Sequence, residues 1–236
     1  MFENGELWVI EKPAGVVVNR AKTVKGETVQ DWAEVRLGLG RQRETDFARR
    51  AGIVHRLDRE TSGLLLIAKN ERAFSHLQAQ FKERKIEKRY LALVHGWVVP
   101  EEGEIELPIK RNPFNREKFG IFPGGRKATT GYRTVSCFQV ANSKFTLLEL
   151  FPKTGRTHQI RVHLRAVGHP IVADRKYAGR KVYREDKKWC PRLFLHASFL
   201  GFFHPKTEKW LQFVSPLPSD LGEVLEKIGG GSLDII

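Results

Sequence analysis

The sequence has few cysteines and no long apolar run. Only Cys137 and Cys190 occur among its 236 residues, too few for the disulfide scaffold of a small secreted protein. Residues 1–6 are acidic where a signal peptide would be basic, and no apolar stretch is long enough to span a bilayer. We therefore expect a cytoplasmic protein that is neither secreted nor inserted in a membrane.

Acidic residues are also scarce: 27 Asp and Glu oppose 41 Lys and Arg, which gives a formal net charge of +14. Such an excess predicts a polyanionic partner, nucleic acid first and an anionic membrane surface second. Residues 153–188 alone carry +8 of this charge. A second basic stretch, 110–127, is interrupted by prolines and glycines and predicts a long, mobile, basic loop.

No Ser/Gly/Pro-rich linker and no internal repeat divides the chain, so we expect a single domain over residues 1–236 with a loose tail at about 229–236. Strand patterns are short and frequent. They cover residues 7–11, 63–69, 89–94, 132–140, 145–151, 193–203 and 209–214. Asn142-Ser143 and the turn at 205–208 are predicted to close two hairpins.

Helix patterns are fewer than strand patterns. Asn70 can cap a helix that runs to about Glu83, Ser219 can cap one that ends before Gly229, and a third helix is predicted over 157–167. Because hairpins outnumber strand-helix-strand units, the expected fold class is α+β with a mixed, largely antiparallel sheet.

The densest group of reactive side chains lies at residues 54–63, immediately before the apolar run 64–67. A loop anchored by a buried strand holds polar groups in place while they stay accessible, which is common in active sites. The same pattern also fits an ordinary turn, in which Asp58, Thr61 and Ser62 bond to nearby backbone groups. The residues alone leave both interpretations open.

Other chemistries have less support in the sequence. A metal site built on His55 with Asp58, or on His158 with His163, lacks the helical i, i+4 spacing and a third ligand. The only Gly-Gly pair in the basic loop lacks the Lys-Ser/Thr of a phosphate-binding loop, and no serine or cysteine nucleophile motif occurs. Paired carboxylates of the glycosidase kind remain compatible with the pattern. We expect no metal.

Residues 55–63 read H-R-L-D-R-E-T-S-G and resemble the H-R-L-D-x-x-T-S-G signature of the RluA-type pseudouridine synthases, which isomerise uridine in ribosomal and transfer RNA. Stretches at 11–16, 88–96, 108–130, 154–164 and 192–197 resemble the family's other motifs in the same order. Two departures are visible. We expect the chain to start directly at the catalytic domain, without the N-terminal RNA-binding domain of many relatives, and Ala173 stands where glycine is usual.

The resemblance implies the pseudouridine synthase fold, with flanking helices and a central catalytic cleft between two halves. It places the nucleophilic carboxylate on Asp58. It makes Arg161 the cation that keeps this carboxylate ionised in a closed site, where desolvation alone would raise its pKa. It assigns to Tyr90 a stacking contact with the uracil and, less directly, the proton that leaves carbon 5.

The resemblance also implies how RNA is held. Arg56 would fill the stack vacated by the flipped base or hold phosphate, while His55 supports the loop. The remaining expected RNA contacts are cations along the backbone. They are Arg156, Lys110, Arg111, Arg116, Lys118 and Lys127. No group enters or leaves in this reaction, so no cofactor is expected, and the expected partner of a monomeric enzyme is structured ribosomal or transfer RNA, with no obligatory protein partner and no membrane.

Two alternatives remain beside this interpretation. A catalytically silent RNA-binding or ribosome-assembly protein would need the basic surface equally, but would give no reason for Asp58, Tyr90 and Arg161 to occur together. A base-removing glycosidase would need a second carboxylate to activate water, and Glu60 is the only sequence neighbour of Asp58 able to do so.

Overall fold

The computed structural model describes residues 2–21, 24–40 and 44–229. The chain divides into two compact units, each made from two separate stretches. Unit 1 comprises Met1–Glu87 and Phe199–Ser215, and unit 2 comprises Lys88–Ser198 and Pro216–Ile236. The single domain stays a prediction, and the predicted loose tail lies outside the described residues from position 230 onward.

The described chain contains eleven strands and six helices. The strands are β1 Phe2–Glu3, β2 Leu7–Lys12, β3 Ser62–Ala68, β4 Glu87–His95, β5 Glu102–Glu106, β6 Ile109–Arg111, β7 Phe119–Ile121, β8 Thr129–Val140, β9 Ser143–Pro152, β10 Leu195–Phe203 and β11 Trp210–Val214. The helices are α1 Val29–Leu37, α2 Asp46–Arg50, α3 Glu71–Lys82, α4 Gln159–Ala166, α5 Arg180–Asp186 and α6 Ser219–Lys227. None of these helices is long and apolar enough to cross a bilayer.

Unit 1 is built on antiparallel strands. β1 pairs with β2 and β2 with β3, with Trp8 opposite Ile67, and the 199–203 part of β10 pairs with β11. All seven residues of β3 are buried, as expected for a strand covered on both faces. Leu66, Phe74 and Phe202 belong to its apolar core. β3 therefore supplies a rigid base for the loop that precedes it.

Unit 2 is an antiparallel sheet in the order β4-β9-β8-β5, with Tyr90 and Tyr132 both opposite Leu150. α4 packs against β8 and β9. Strands β6 and β7 form a separate hairpin. The antiparallel pairing in both units confirms the predicted α+β class with a largely antiparallel sheet.

The helix predicted from Asn70 is confirmed: its side chain accepts the amide of Ala73 at 2.9 Å, and α3 buries Phe74 and Leu77. The helix predicted over 157–167 is present as α4, which begins two residues later and ends one residue earlier. Ser219 was expected to be the cap of the last helix, but Pro218 occupies that position and makes no side-chain capping bond.

Two other expectations are wrong. The turn between β8 and β9 is Ala141-Asn142, since Val140 pairs with Ser143 and Ala141 takes a left-handed φ of 51°, which a two-residue hairpin turn requires. The stretch 110–127 is not a structureless loop. It contains the β6–β7 hairpin, because Ile109, Phe119 and Ile121 pack against unit 2.

Helices α1, α2 and α5 were not predicted. α1 buries only Val29, Gln30 and Ala33, which leaves little apolar periodicity to read. Its ends are fixed instead by a capping box between Thr28 and Asp31 and by Gly38, whose φ of 62° is left-handed. Local capping thus specifies a helix that its apolar pattern does not reveal.

Substituting Gly52 by alanine should destabilise unit 1. Gly52 has a φ of +72°, and a Cβ there would lie 2.0 Å from the carbonyl oxygen of Ala68. We expect Gly52→Ala to lower the free energy of unfolding by at least about 2 kcal/mol, measured by urea denaturation. Gly5→Ala is the matched control because a Cβ at Gly5 meets no atom within 4 Å. Equal midpoints for both variants would contradict the expectation.

Candidate active site

The loop that carries Asp58 is anchored at both ends within unit 1. Ile53 forms an isolated bridge with Ile67, and β3 begins at Ser62. Leu57 is buried, and the amide of Thr61 donates to the carbonyl oxygen of Asp58 at 3.2 Å. The carboxyl-bearing side chain of Asp58 is half-buried. Its backbone is therefore held while its side chain stays partly accessible.

Lys12 fastens a second segment to this loop. Although only 1% exposed, its ammonium donates to the carbonyl oxygens of Pro13, Val16 and Arg59, at 2.7, 2.9 and 3.3 Å. Gly15 and Arg59 add two further bonds, one from the Gly15 amide at 2.7 Å and one from Arg59 Nε at 3.0 Å. The three donors of an ammonium thus meet three carbonyls, and the turn at 12–16 is tied to the residue that follows Asp58.

His55 and Arg56 lie on the same loop with different surroundings. His55 Nε2 accepts the amide of Leu66 at 2.9 Å, and its ring centroid lies 4.9 Å from that of Phe81. With Nε2 as acceptor, the neutral ring carries its proton on Nδ1. Arg56 is exposed. His55 lies under the loop and Arg56 on its surface, and the contact of either residue with RNA stays a prediction.

In unit 2, Arg161 on α4 forms a buried, two-pronged ion pair with Asp174. Nε and Nη2 donate to the two carboxylate oxygens, each at 2.8 Å, and the side chains are 2% and 0% exposed. Asp174 Oδ1 also accepts the amides of Lys176 and Tyr177. The sequence singled out Arg161 but did not indicate that Asp174 binds it.

The backbone before Asp174 takes a conformation that glycine adopts most easily. Ala173 has a left-handed φ of 56°, a conformation that side chains with a Cβ rarely adopt. Its amide donates to Asp186 Oδ2 at 2.8 Å, and that oxygen also bonds His95 Nε2 at 3.0 Å. These bonds hold the turn at 173–177, so that Asp174 faces Arg161.

Tyr177 joins the β6–β7 hairpin to α4. Its hydroxyl accepts the amide of Phe119 at 3.0 Å and pairs with Nδ1 of His158, the residue before α4, at 2.8 Å. The guanidinium carbon of Arg161 lies 5.2 Å from the centroid of the Tyr177 ring, within range of a cation-π contact. Sequence reasoning missed this residue.

Gln159 holds the turn that leads into α4. Its amide oxygen accepts the Thr154 hydroxyl at 2.7 Å and the Arg156 amide at 3.0 Å. Its amide nitrogen donates to Thr129 and Thr130 of β8 at 2.9 and 3.0 Å. Every hydrogen-bonding position of this buried side chain is directed at the turn or the sheet. These bonds fix the start of α4 and thereby the position of Arg161.

Tyr90 lies within β4 and is largely buried. Lys88 precedes it by two residues on the same strand, and therefore on the same face. Burial lowers the pKa of Lys88 to about 8. The positive charge of Lys88 is thus present at neutral pH and is lost as the pH rises through about 8.

His163, considered above as a metal ligand, has another role. It is fully buried, Nε2 pairs with the carbonyl oxygen of Leu107 at 3.0 Å, and desolvation lowers its pKa. Within residues 2–21, 24–40 and 44–229, no group of three or more His, Cys, Asp and Glu side chains could hold a metal ion.

The cations expected to contact RNA gather on and beside the β6–β7 hairpin. Arg111 lies over the Phe119 ring, 4.8 Å from its centroid, and donates to the carbonyl oxygen of Arg116. Arg156 Nε donates to the carbonyl oxygen of Lys127 at 3.2 Å, so the turn before α4 meets the end of the basic stretch. Lys110 is exposed and Lys118 half-buried.

A second basic surface lies on α5. Arg180, Lys181, Arg184 and Lys188 are exposed and line an open hollow of about 960 Å³ together with Glu185. Glu185 forms an ion pair with Lys188 at 2.5 Å. Three of the eleven Lys and Arg residues at 153–188 therefore lie on a helix that the sequence did not predict.

Removing the charge of the buried Asp174 should lower the free energy of unfolding far more than removing the charge of an aspartate in an exposed ion pair. Asp174→Asn removes the carboxylate that accepts two bonds from the buried Arg161, and we expect a loss of about 3–5 kcal/mol in the free energy of unfolding, measured by urea denaturation. The matched control is Asp220→Asn, because Asp220 pairs with Arg192 through the same two-pronged geometry but is 42% exposed. We expect a loss of about 1 kcal/mol or less there. Similar losses for the two variants would contradict this account.

Removing the hydroxyl of Tyr177 should loosen the hairpin. In Tyr177→Phe the Phe119 amide loses its acceptor, which costs about 1–3 kcal/mol, while the ring under Arg161 remains. We expect faster hydrogen exchange at the Phe119 amide, observed by NMR. The amide of Val162, bonded to the His158 carbonyl inside α4, is the internal control. Unchanged exchange at Phe119 would show that Tyr177 does not hold the hairpin.

Comparison with known proteins identifies the family. Residues 6–166 match the family described as RNA pseudouridylate synthase. A relative from Chloroflexus aurantiacus, named an uncharacterized RNA pseudouridine synthase, is 43% identical over 220 residues, and the match covers 92% of this chain but 65% of the relative, slightly less than two thirds of its length. The ribosomal large subunit pseudouridine synthase D of Buchnera aphidicola is 37% identical over 236 residues, covering 97% of this chain and 72% of the relative.

A solved structure gives the same result. Human RNA pseudouridylate synthase domain containing 1 superposes with a TM-score of 0.70 at 29% identity, covering 92% of this chain and 82% of that one. The match to the family spans most of the chain, including the Asp58 loop, β4 and all of α4. The chain therefore belongs to the RNA pseudouridylate synthase family.

Proposed function

We propose that this protein isomerises specific uridines of structured ribosomal or transfer RNA to pseudouridine, with Asp58 as the nucleophile. The observation that carries the proposal is the position of Asp58. A half-buried carboxylate stands on a loop held by β3 and Lys12, within the family's H-R-L-D-x-x-T-S-G motif. The name of the Buchnera aphidicola relative concerns the ribosomal large subunit, which favours ribosomal RNA as the first substrate to test.

The reaction breaks the bond between ribose carbon 1′ and N1 of uracil, rotates the base and joins carbon 1′ to carbon 5. The proton on carbon 5 leaves, and N1 gains one, so no atom enters or leaves overall. A carboxylate that attacks the ribose or the base ring holds one fragment covalently while the other turns. We assign this attack to Asp58.

We assign to Arg161 the role of cationic partner to Asp58. A guanidinium has five N–H donors in a planar fork, and Asp174 takes two of them. Asp174 thereby fixes the orientation of this fork, whose geometry suits carboxylates. Lysine could not form the same two-pronged pair.

The target base must leave its stack before it can react, which costs a few kcal/mol. We infer that Tyr90 stacks on the flipped uracil and that its hydroxyl relays the proton from carbon 5. Arg56, exposed on the Asp58 loop, would take the place of the base in the RNA. His55 would support that loop, and the hairpin cations with Arg156 would follow the RNA backbone. We infer that the enzyme acts in the cytoplasm as a monomer.

The glycosidase alternative makes a different demand on the same loop. It requires a second carboxylate that activates water, for which Glu60 is the sequence neighbour. The product would then be free uracil and an abasic ribose, which distinguishes the two reactions directly.

Asp58→Asn should abolish conversion of uridine. Since an amide cannot act as the nucleophile, we expect the rate to fall more than about 10³-fold. RNA binding should stay within a few-fold, because the substituted group is not a cation. Conversion is measured by carbodiimide-induced reverse-transcription stops on total RNA, and binding by filter retention.

Glu60→Gln is the matched control and should keep its activity. Full activity of Asp58→Asn would remove Asp58 as the nucleophile. Release of free uracil by the wild type, lost in Glu60→Gln, would favour the glycosidase. RNA binding by a wild type that converts no uridine would favour the silent RNA-binding protein.

A further inference from the structure

The tip of the β6–β7 hairpin carries an aromatic ring that is almost fully exposed to solvent. Phe114 is 93% exposed, and no other ring in the described part of the chain lies against it. Exposed apolar residues are common, but a phenylalanine this exposed contributes nothing to the packing of unit 2. The ring has a face available for a ligand.

The backbone around Phe114 is ordered by hydrogen bonds. Asn112 Oδ1 accepts the amides of Phe114 and Asn115, at 2.8 and 3.1 Å. The Lys118 amide donates to the Asn115 carbonyl and the Asn112 amide to the Lys118 carbonyl, both at 2.9 Å. A closed turn of this kind holds the backbone that carries the ring before binding, which reduces the entropy lost when a ligand is bound.

The hairpin itself is anchored to unit 2. Ile109 belongs to a buried cluster with Val162 of α4 and with Tyr177, and Phe119 and Ile121 pack against it. The Phe119 amide is bonded to the Tyr177 hydroxyl at 3.0 Å. Phe114 therefore stands on a support that also carries Arg161.

The charge around the ring indicates the chemistry of its ligand. Four cations and one carboxylate lie within residues 109–121. The immediate neighbours of Phe114 are Pro113 and the amides Asn112 and Asn115, so the tip offers one isolated ring and no contiguous apolar patch. An apolar protein surface or a lipid tail would need such a patch. An unpaired nucleobase needs one aromatic face beside phosphate-binding cations, which is the combination found in single-strand binding sites.

We propose that Phe114 stacks on an unpaired base of the RNA substrate, at a nucleotide other than the target uridine. The inference rests on the proposed function in taking RNA as the ligand. It adds a contact that the family motifs do not contain, and it gives the hairpin a preference for RNA in which an unpaired base lies within reach of the tip. Fully paired RNA would then contact only the cations.

The affinity of Phe114 variants for RNA tests the proposal. The probe is a fluorescein-labelled RNA stem-loop with an unpaired loop, titrated by fluorescence anisotropy, with the fully paired duplex of the same length beside it. We expect Phe114→Ala to weaken stem-loop binding about 5- to 100-fold, the range that loss of one base-aromatic stack gives. Phe114→Leu should be as weak as the alanine variant, and Phe114→Trp should bind like the wild type. None of the three should change duplex binding more than about twofold.

Abasic substitution locates the base. The loop nucleotides are replaced one at a time by abasic ribose. One of these replacements should weaken binding by the wild type. The same replacement should not weaken binding by Phe114→Ala, because the stack is already absent. Trp97→Ala is the matched control, since Trp97 is another exposed ring of unit 2, 46% exposed and covered by Lys144 at 4.0 Å. It should bind both RNAs like the wild type.

Three results would overturn the proposal. They are unchanged stem-loop binding by Phe114→Ala, wild-type binding by Phe114→Leu, and an equal loss on the stem-loop and the duplex. If the wild type binds anionic lipid vesicles and Phe114→Ala does not, while RNA binding is unchanged, the ring contacts a membrane instead. If wild-type protein converts no uridine but the coupling between Phe114 and one base is found, the proposed reaction fails and the stacking inference stands.

Discussion

The buried ion pair between Arg161 and Asp174 sets the arrangement of the surrounding part of unit 2. A guanidinium that is 2% exposed is tolerated only when its charge and its donors are matched, because desolvation of an unpaired cation costs several kcal/mol. Asp174 can match it only from a turn whose preceding residue, Ala173, is left-handed. Asp186 of α5 holds this turn by accepting the amide of Ala173, and the amide of Tyr177 holds it by donating to Asp174. One electrostatic requirement thus links α4, the turn at 173–177, α5 and the hairpin.

Much of the fold could be predicted from short-range signals. Asn70 and the apolar spacing after it specify α3, and the buried run of β3 is plain in the sequence. The β6–β7 hairpin was missed because Ile109, Phe119 and Ile121 stand singly among cations, prolines and glycines. Their apolar partners, Val162 and Tyr177, lie tens of residues away, and no local pattern contains that information.

The candidate site likewise contains residues that the sequence indicates and residues that only the folded chain reveals. Asp58 and Arg161 could be singled out because each lies in a dense, recognisable motif. Asp174 could not, since its partner is thirteen residues away and a lone aspartate after alanine resembles any turn residue. The ammonium of Lys12 donates to three backbone carbonyls, and no side-chain pattern encodes a carbonyl. Exposure, which reveals Phe114, is likewise a property of the folded chain.

The division of the chain into two discontinuous units has a consequence for its synthesis. The apolar core of unit 1 includes Leu200 and Phe202 beside Leu66 and Phe74, so the first 87 residues lack part of their core until position 215 has left the ribosome. The sheet β4-β9-β8-β5 and α4 are complete well before that point. During translation, the segment that carries Tyr90 and Arg161 can therefore reach its native pairing while the segment that carries Asp58 still waits for its last two strands.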